Sequence, residues 1–440
     1  MLRQFLYTWL AYWVLVAVLP VHSLYPATVE AFLLQAAFVM IVSISTKAVL
    51  DLFHIRRMPS ATQQNIPHAY SLIWIAIFLS VIGLLALSYD KVIIQKIDYS
   101  AGVAFAREQW RQLGEDRDGH ASSIFSVVGY LLGSSYYVAA VLAVTQNSVL
   151  SARMRFLSLL ISFLLMMANS LLTGGRSNVL LLGVFVVAAF SSRCDITLRG
   201  LFAGAVQRRF ILALAALAFA YSLFIFYQRA ITGELGAIEY AIDFLPWLGV
   251  EADSWYRQSL GSNALSSLSA IVVLAFSYIT HSFATMAAIV DAPAEDKSLL
   301  FLNVAQMLYK LGVLAQPDEK WFLVGRLPSV PGALWHQFGP FGFFAGSVFL
   351  GIVAGAAKIW AVRKPDCLLP LGAYTMMTTT LILTSTVFAP DFLSFPFVFA
   401  AFLILAMAGN MLRAIRARIS GNPADTHSAT DWERAGPNQM

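Results

Sequence analysis

Long apolar runs recur along almost the whole chain, and they limit what it can fold into. A bilayer core about 30 Å thick is crossed by a helix of roughly 17–25 apolar residues. Runs near this length recur in the 440 residues at 5–22, 31–49, 71–88, 124–144, 156–172, 178–191, 210–226, 338–359, 367–388 and 392–412. We therefore predict an all-α polytopic membrane protein with about 10–12 transmembrane helices.

Charged residues are scarce, which excludes an ordinary soluble enzyme. They make up 12% of the chain, against about 25% in soluble domains. The first run has a charged start like a signal peptide, but it lacks an A-x-A-like cleavage site and leads directly into the next run. We interpret it as a retained membrane anchor.

The segment 228–336 is predicted to be a large loop on the outer face. It contains a further apolar run at 265–290 that is long enough to span, and a second apolar stretch at 299–315. Either both stretches cross the membrane and return, or both are embedded in it. We favour ten spans with membrane-embedded loop helices. The predicted organisation is one transmembrane domain, 1–412, followed by a tail, 413–440, that is polar from Gly421 and expected to be disordered.

The basic residues indicate the orientation. Alternate loops and the two termini hold 17 of the 29 basic residues but only 6 of the 24 acidic ones. Cytoplasmic loops collect Lys and Arg, so both termini are predicted to be cytoplasmic. The net charge of +5 then reflects membrane topology, and we expect no nucleic-acid partner. Cys194 and Cys367 both fall on the cytoplasmic side, where free thiols are expected.

No sequence motif indicates a metal or cofactor site. The chain has no H-E-x-x-H, no G-x-S-x-G, no phosphate-binding loop and no cysteine pair. The triplet Asp116-Arg117-Asp118 is interpreted as a solvated loop, since such triplets are common by chance. We predict no cofactor and no metal.

Polar residues cluster at the predicted outer face, whereas the spans contain almost no ionisable residue away from their ends. Ion-coupled transporters usually keep such residues at depth, so the pattern instead indicates a site for amphiphiles from the outer leaflet. Its candidates are Arg176, Arg229, Glu251, Asp253, Arg257, His281, Arg326 and His336. Simpler readings exist: Arg176 as a snorkelling interfacial arginine, Arg229 and Arg326 as loop charges, and His281 as a buried structural residue.

Three stretches resemble one protein family. They are "TGGRSNVLLLGVFVVAAF" from Thr173, the segment "VGRLPSVPGALWHQFGPFGFFAGSVFLGIVAGAA" with its "FGxxG" at Phe338, Gly339 and Gly342, and the loop "YSAGVAFAREQWRQLG". The chain resembles the Wzy-type bacterial polymerases of lipid-linked oligosaccharide repeat units, which build O-antigen and related surface polysaccharides. The likeness covers most of the chain as architecture, and its motifs are short.

The resemblance implies a GT-C-like glycosyltransferase arrangement with a long periplasmic loop in the bacterial inner membrane. It implies transfer of a growing glycan from undecaprenyl pyrophosphate onto the next lipid-linked repeat unit, at the periplasmic face. The expected partners are this lipid-linked oligosaccharide, membrane lipid and a polysaccharide chain-length regulator. The enzyme would work without a metal.

That reaction assigns roles to the candidate residues. Departure of the pyrophosphate needs fixed positive charge, which arginine supplies in a bidentate form. We assign this role to Arg176, Arg229, Arg326 and Arg257. The acceptor hydroxyl benefits from a general base. His336 is the first choice, with Glu251, Asp253 and His281 behind it.

Two other functions remain open. An O-antigen ligase uses the same kind of donor but transfers the glycan to the lipid A core, and its architecture is similar. A lipid-linked oligosaccharide flippase would need charges lining a cavity inside its spans, which are almost bare here. We rank the polymerase first, the ligase second and the flippase third.

Overall fold

The protein is an all-α, multi-pass membrane protein with one two-stranded sheet among the described residues. The computed structural model describes residues 1–55, 66–100, 102–115, 123–146, 149–173, 177–192, 236–291, 328–389, 392 and 394–420, with short pieces between 213 and 230 and between 304 and 315. Within these ranges, 7 helices are long and apolar enough to cross a membrane. Three shorter apolar helices accompany them, at Leu2–Val18, Ser177–Ser191 and Leu368–Leu383.

The helices are numbered here in chain order. They are α1 (Leu2–Val18), α2 (Thr28–Leu52), α3 (Ala69–Ser88), α4 (Val103–Glu115), α5 (Ile124–Gly133), α6 (Ser135–Thr145), α7 (Ala152–Thr173), α8 (Ser177–Ser191), α9 (Ala237–Phe244), α10 (Ser254–Ser259), α11 (Ala264–Asp291), α12 (Val330–Arg363), α13 (Leu368–Leu383) and α14 (Ser394–Ser420). The strands are β1 (Val21–Ser23) and β2 (Val250–Ala252), and a π-helical turn, Tyr89–Ile94, follows α3.

Nine of the ten predicted spans coincide with these helices, α5 and α6 together forming one of them. The tenth, 210–226, lies mostly outside the described residues. The C-terminal helix continues to Ser420, so the first part of the predicted tail is helical. The rest of that tail, 421–440, lies outside the described residues, as does Cys194. Cys367 is a free thiol.

The helix bundle has two ends, which we name by the residues found there. At one end, the amino group of Met1 lies 3.4 Å from the Tyr374 hydroxyl, which lies 3.1 Å from Ser191 Oγ. We call this the Met1 end. At the other end, β1 follows α1 and pairs antiparallel with β2. We call it the sheet end. Following the chain, α3 and α7 end at the sheet end, and α2, α5, α8 and α14 begin there.

Small residues bring the helices close together. A Cβ at Gly351 of α12 would lie 2.6 Å from Ser45 Cβ and 2.8 Å from the Val42 carbonyl oxygen of α2. Gly83 of α3 and Gly133 of α5 are also in direct backbone contact. In membranes, helix association depends on such close packing because lipid tails are as apolar as the side chains.

Helix α12 is broken at Gly339, where φ is 65° and ψ is −165°. The residues before the break form a re-entrant half-helix, Val330–Phe338, which folds back beside the span that follows it. Leu334 shows the fold-back, because a Cβ at Gly346 would lie 2.5 Å from its side chain. The predicted span 338–359 therefore corresponds to the part of α12 after the break.

Helix α13 is one of the shorter apolar helices, and its 16 residues extend about 24 Å. The half-helix begins where α13 ends, and the amide of Val330 donates a hydrogen bond of 3.0 Å to the Thr384 carbonyl. The side chain of Ser329 caps the half-helix by accepting from the Gly332 amide.

Helix α11 contains the run 265–290, whose position the sequence left open. It is long and apolar enough to span. Tyr12 in the second half of α1 shares a 2.7 Å hydrogen bond with Ser282, and Ala31 in the first turn of α2 packs on Met286. Met286 also lies against Gly332 of the half-helix. These contacts place the second half of α11 beside α1, α2 and the half-helix.

The contact at Gly351 provides a test of the packing. We expect Gly351→Ala to lower the free energy of unfolding by about 1–3 kcal/mol, because the added methyl group would overlap the backbone of α2. Gly183→Ala is the control, since a Cβ there meets nothing within 4 Å. Unfolding in mixed micelles, followed by tryptophan fluorescence, measures both variants. Equal stability of the two would contradict the close α2–α12 contact.

Candidate functional site

The sheet closes one part of the sheet end. β1 and β2 are three residues each, and His22 is paired directly with Glu251. Beneath them, Leu248, Ile271 and Leu274 form part of a buried apolar cluster with α9 and α11. The sheet therefore joins the first span to the segment before α11, a contact 231 residues apart in the chain between His22 and Asp253.

A surface pocket of about 460 Å³ lies against this sheet. It is lined by His22, Glu251, Ala252, Asp253, Ser254, Trp255 and Arg257. Three predicted site residues, Glu251, Asp253 and Arg257, are thus brought together. Trp255 is 63% exposed beside them. The sequence indicated neither the pocket nor His22, because the strand pairing that creates it is long-range.

The charges in this sheet pocket are paired. Arg257 Nη2 donates to Glu251 Oε1 at 2.6 Å, and His22 Nδ1 lies 2.9 Å from Asp253 Oδ1. Trp255 Nε1 donates to the other Asp253 oxygen at 3.3 Å. Exposed pairs of this kind contribute about 0–1 kcal/mol, so a ligand could displace them. An anion at Arg257 would nevertheless compete with Glu251.

His336, the preferred base, lies on the re-entrant half-helix and is 5% exposed. Its neighbour Trp335 packs edge-on against Phe343, with ring centroids 5.8 Å apart, across the Gly339 break. The break thus holds His336 at the sheet end beside the following span. The sequence analysis placed His336 at the end of the outer loop, directly before a span, and did not predict the half-helix.

His281 lies on α11 and is also 5% exposed. Its Nδ1 is 2.7 Å from the Tyr278 carbonyl oxygen, and the two rings are 5.5 Å apart. A carbonyl only accepts, so Nδ1 carries a proton and Nε2 is the acceptor of the neutral ring. The half-helix that bears His336 packs on the same helix, through Gly332 against Met286 and Ile289.

A buried charged group that the sequence analysis did not select lies at the end of α3. Asp90 and Lys91 are 0% and 1% exposed. Asp90 accepts hydrogen bonds from Gln95 Nε2 and from Ser123 Oγ. The Lys91 ammonium lies 3.7 Å from the centre of the Trp110 ring of α4, a cation–π contact. We call these two residues and their partners the Asp90 cluster.

The signal for this cluster was present but ambiguous. The two charges stand between the apolar run of α3 and the apolar residues 92–94. In the sequence alone, the two charged residues are equally typical of the solvated start of a loop. A π-helical turn at Tyr89–Ile94 instead turns them into the protein, and such turns are frequent at functional sites.

Tyr99 connects the Asp90 cluster to α7. Its hydroxyl donates to the Leu172 carbonyl at 2.7 Å, in the last turn before 174–176. Burial, and to a lesser degree the negative charge of Asp90, raises the pKa of Tyr99 to about 12. The phenol therefore stays protonated at neutral pH and keeps its hydrogen bond to α7.

Three of the predicted pyrophosphate ligands, Arg176, Arg229 and Arg326, lie outside the described residues, as do Asp116, Arg117 and Asp118. In the sequence, Arg176 stands between the end of α7 and the start of α8. In the described part of the chain, no group of three His, Cys, Asp or Glu residues is arranged to hold a metal ion.

Comparisons with protein-family models, with curated proteins and with solved structures gave no match.

Removal of the Asp90 carboxylate tests the cluster. We expect Asp90→Ala to lower the free energy of unfolding by about 1–3 kcal/mol, because the buried donors Gln95 and Ser123 lose their acceptor. Asp98→Ala is the matched control, since Asp98 is exposed on the same segment and bonds locally to the Ser100 amide. Denaturant titration in micelles compares them. Similar stabilities would show that Asp90 is not structurally coupled to its neighbours.

Proposed function

We propose that the protein is an inner-membrane polymerase of lipid-linked oligosaccharide repeat units. It transfers a growing glycan from undecaprenyl pyrophosphate onto the next lipid-linked unit. The observation that carries the proposal is the re-entrant half-helix that presents His336 at the sheet end. The argument rests on what the motif residues do in the fold.

Both glycines of "FGxxG" have a structural reason. Gly339 has φ 65°, which side chains other than glycine rarely adopt. A Cβ at Gly342 would overlap the side chain of Phe338. The motif therefore builds the sharp turn between the half-helix and the span. This structural role supports the proposal that "FGxxG" is the motif shared with the Wzy-type polymerases and not a chance apolar stretch.

The second motif, "TGGR", joins α7 to α8. Asn169 near the end of α7 accepts a 3.1 Å hydrogen bond from the Asn178 side chain at the start of α8. This bond holds the two helices together directly below the connection that contains Arg176. On the other side, Tyr99 ties α7 to the Asp90 cluster. The anchoring supports a role for Arg176 that needs a defined position.

The orientation follows from the described charges. The Met1 end carries two acidic side chains, Asp51 and Asp366, among many basic ones. The basic ones are Arg3, Lys47, Arg153, Arg155, Lys358, Arg363, Lys364, Arg413, Arg416 and Arg418. By the positive-inside rule, we infer that this end, which holds Met1 and the last described turns of α14, faces the cytoplasm. The sheet end then faces the periplasm, where the lipid-linked substrates are presented.

The reaction is a single group transfer. The acceptor hydroxyl of one lipid-linked unit attacks the anomeric carbon of the donor glycan, and a new glycosidic bond forms. The bond from that carbon to the pyrophosphate oxygen breaks, and undecaprenyl pyrophosphate leaves. The hydroxyl proton passes to the general base, which we assign to His336. Arginines balance the charge on the leaving pyrophosphate, Arg176 first among them.

The sheet pocket suits a sugar contact better than a phosphate contact. Its exposed Trp255 offers an apolar ring face beside paired carboxylates that can accept hydroxyl hydrogen bonds. Its one arginine, Arg257, already holds Glu251. We therefore assign Glu251 and Asp253 to glycan binding ahead of catalysis, and leave the pyrophosphate to Arg176, Arg229 and Arg326.

Arg176→Ala tests the pyrophosphate role. A polymerase-deficient bacterium that supplies a matching repeat unit is complemented with wild type or variant at equal protein level. We expect wild type to restore a ladder of glycan lengths and Arg176→Ala to collapse it to one repeat. Arg418→Ala, which removes an arginine from the Met1 end, should leave the ladder intact. An intact ladder with Arg176→Ala would make this residue a headgroup anchor.

His336→Asn tests the general base. In a reconstituted assay with lipid-linked units, we expect the turnover rate to fall by about 10²-fold or more, the usual contribution of a positioned base. His54→Asn is the control, because His54 is exposed at the Met1 end and asparagine tolerates its left-handed backbone. Binding of the donor should change little. A rate within a factor of two of wild type would remove His336 from the mechanism.

The same assays separate the two alternatives. A ligase would elongate nothing but would deliver glycan to lipid A core, so a ladder made without any core acceptor argues for the polymerase. A flippase would move lipid-linked units across vesicles without forming a new glycosidic bond. The charged groups described here lie at the two ends of the bundle, which supports an interfacial reaction over passage through the bundle.

A further inference from the structure

A cavity of about 190 Å³ lies at the Met1 end, far from the proposed reaction site. It is formed between the starts of α3 and α13, the end of α12 and the last part of α14. Its polar lining consists of Lys364, Cys367, Asn410 and Arg413. Its apolar lining includes Ile66, Leu72, Leu405 and Trp360. Nothing in the proposed function uses it.

The polar side of this cavity favours an anion. Lys364, the residue directly after α12, and Arg413 of α14 both line it. The first residues of α13, Leu368 and Leu369, also line it, and Cys367 before them makes no side-chain cap. The amides at a helix start carry partial positive charge. Two cationic side chains and the start of a helix thus line the same cavity.

Arg413 suits an anion by its shape as well as by its charge. It lines the cavity, and its planar guanidinium fork fits phosphate oxygens in particular.

The apolar side of the cavity indicates that the anion carries a hydrocarbon part. Leu72 and Leu405 belong to long apolar helices, and Trp360 is 39% exposed beside them, as expected of a residue at a membrane interface. Basic pockets between helices at the cytoplasmic face bind lipid headgroups in other membrane proteins.

We propose that this cavity binds the phosphate of an anionic phospholipid of the cytoplasmic leaflet, held by Arg413, Lys364 and the start of α13. The site is separate from glycan transfer and does not depend on it. A free phosphate compound has the same anionic group but lacks the acyl chains, and the two sources can be distinguished directly.

Cys367 serves as the reporter, because it lines the cavity and one other cysteine, Cys194, can be replaced. The full chain with Cys194→Ser is placed in nanodiscs of phosphatidylcholine, with or without phosphatidylglycerol. The rate of maleimide reaction at Cys367 is measured. We expect phosphatidylglycerol to slow the reaction severalfold, whereas inorganic phosphate added to phosphatidylcholine nanodiscs should not.

Charge-matched variants separate a site from general surface attraction. Lys364→Gln combined with Arg413→Gln should abolish the slowing, and Arg413→Gln alone should weaken lipid protection about fivefold. Arg416→Gln combined with Arg418→Gln removes the same charge from exposed positions on α14 and should keep it. The slowing by lipid is compared within each folded variant. If it came only from the effect of the surface potential on the thiol, it would be the same in the two double variants.

Three results would overturn the proposal. One is equal protection in the two double variants, which would mean surface attraction alone. Another is no effect of phosphatidylglycerol on the wild-type cavity. The third is slowing by inorganic phosphate but not by phosphatidylglycerol, which would assign the cavity to a soluble phosphate compound. Loss of glycan polymerisation is not part of this test, so failure of one proposal leaves the other standing.

Discussion

The rest of the structure depends on the hydrogen bond between the backbone at the end of α13 and the backbone at the start of the half-helix. Inside a bilayer no water is present to bond a free amide or carbonyl, so non-helical backbone is tolerated only where protein surrounds it. Helix α13 ends at Leu383, and the carbonyl of the next residue, Thr384, accepts a hydrogen bond from the amide of Val330, the first residue of the half-helix. The Ser385 carbonyl accepts from Ser282 of α11. Trp9 of α1 donates to the Thr384 hydroxyl at 3.1 Å.

This junction explains why a histidine can be held within the bundle. The half-helix is fixed at its start by α13 and at its end by the Gly339 turn, and α11 packs on its side through Met286 and Gly332. A side chain on such a segment has a defined position near the sheet end of the bundle. A continuous span would instead carry residue 336 beyond the packed core. The contacts that satisfy the backbone of the half-helix inside the membrane therefore also fix the position of the proposed base, His336.

Much of the fold could be predicted from the sequence because hydrophobic run length maps directly onto helix length. The span after the "FGPFG" segment was expected, but the half-helix before it was not, because the residues 330–336 were assigned to the outer loop. Contacts distant in the chain could not be predicted: the pairing of His22 with Asp253, and of Arg257 with Glu251, needs the strands to meet. Asp90 and Lys91 were read as the start of a loop, since the charges alone do not show that Ser123 and Trp110 cover them.

The central claim is that the re-entrant histidine and the sheet pocket face the side of the membrane opposite to the Met1 end. Ser262, exposed just before α11, can be changed to cysteine in a chain lacking Cys194 and Cys367 and compared with a chain that keeps Cys367 alone. In intact spheroplasts, a membrane-impermeant maleimide should label the cysteine at 262 at once, and Cys367 only after the membrane is permeabilised. Labelling of Cys367 in intact spheroplasts, with position 262 protected, would invert the protein and contradict the account.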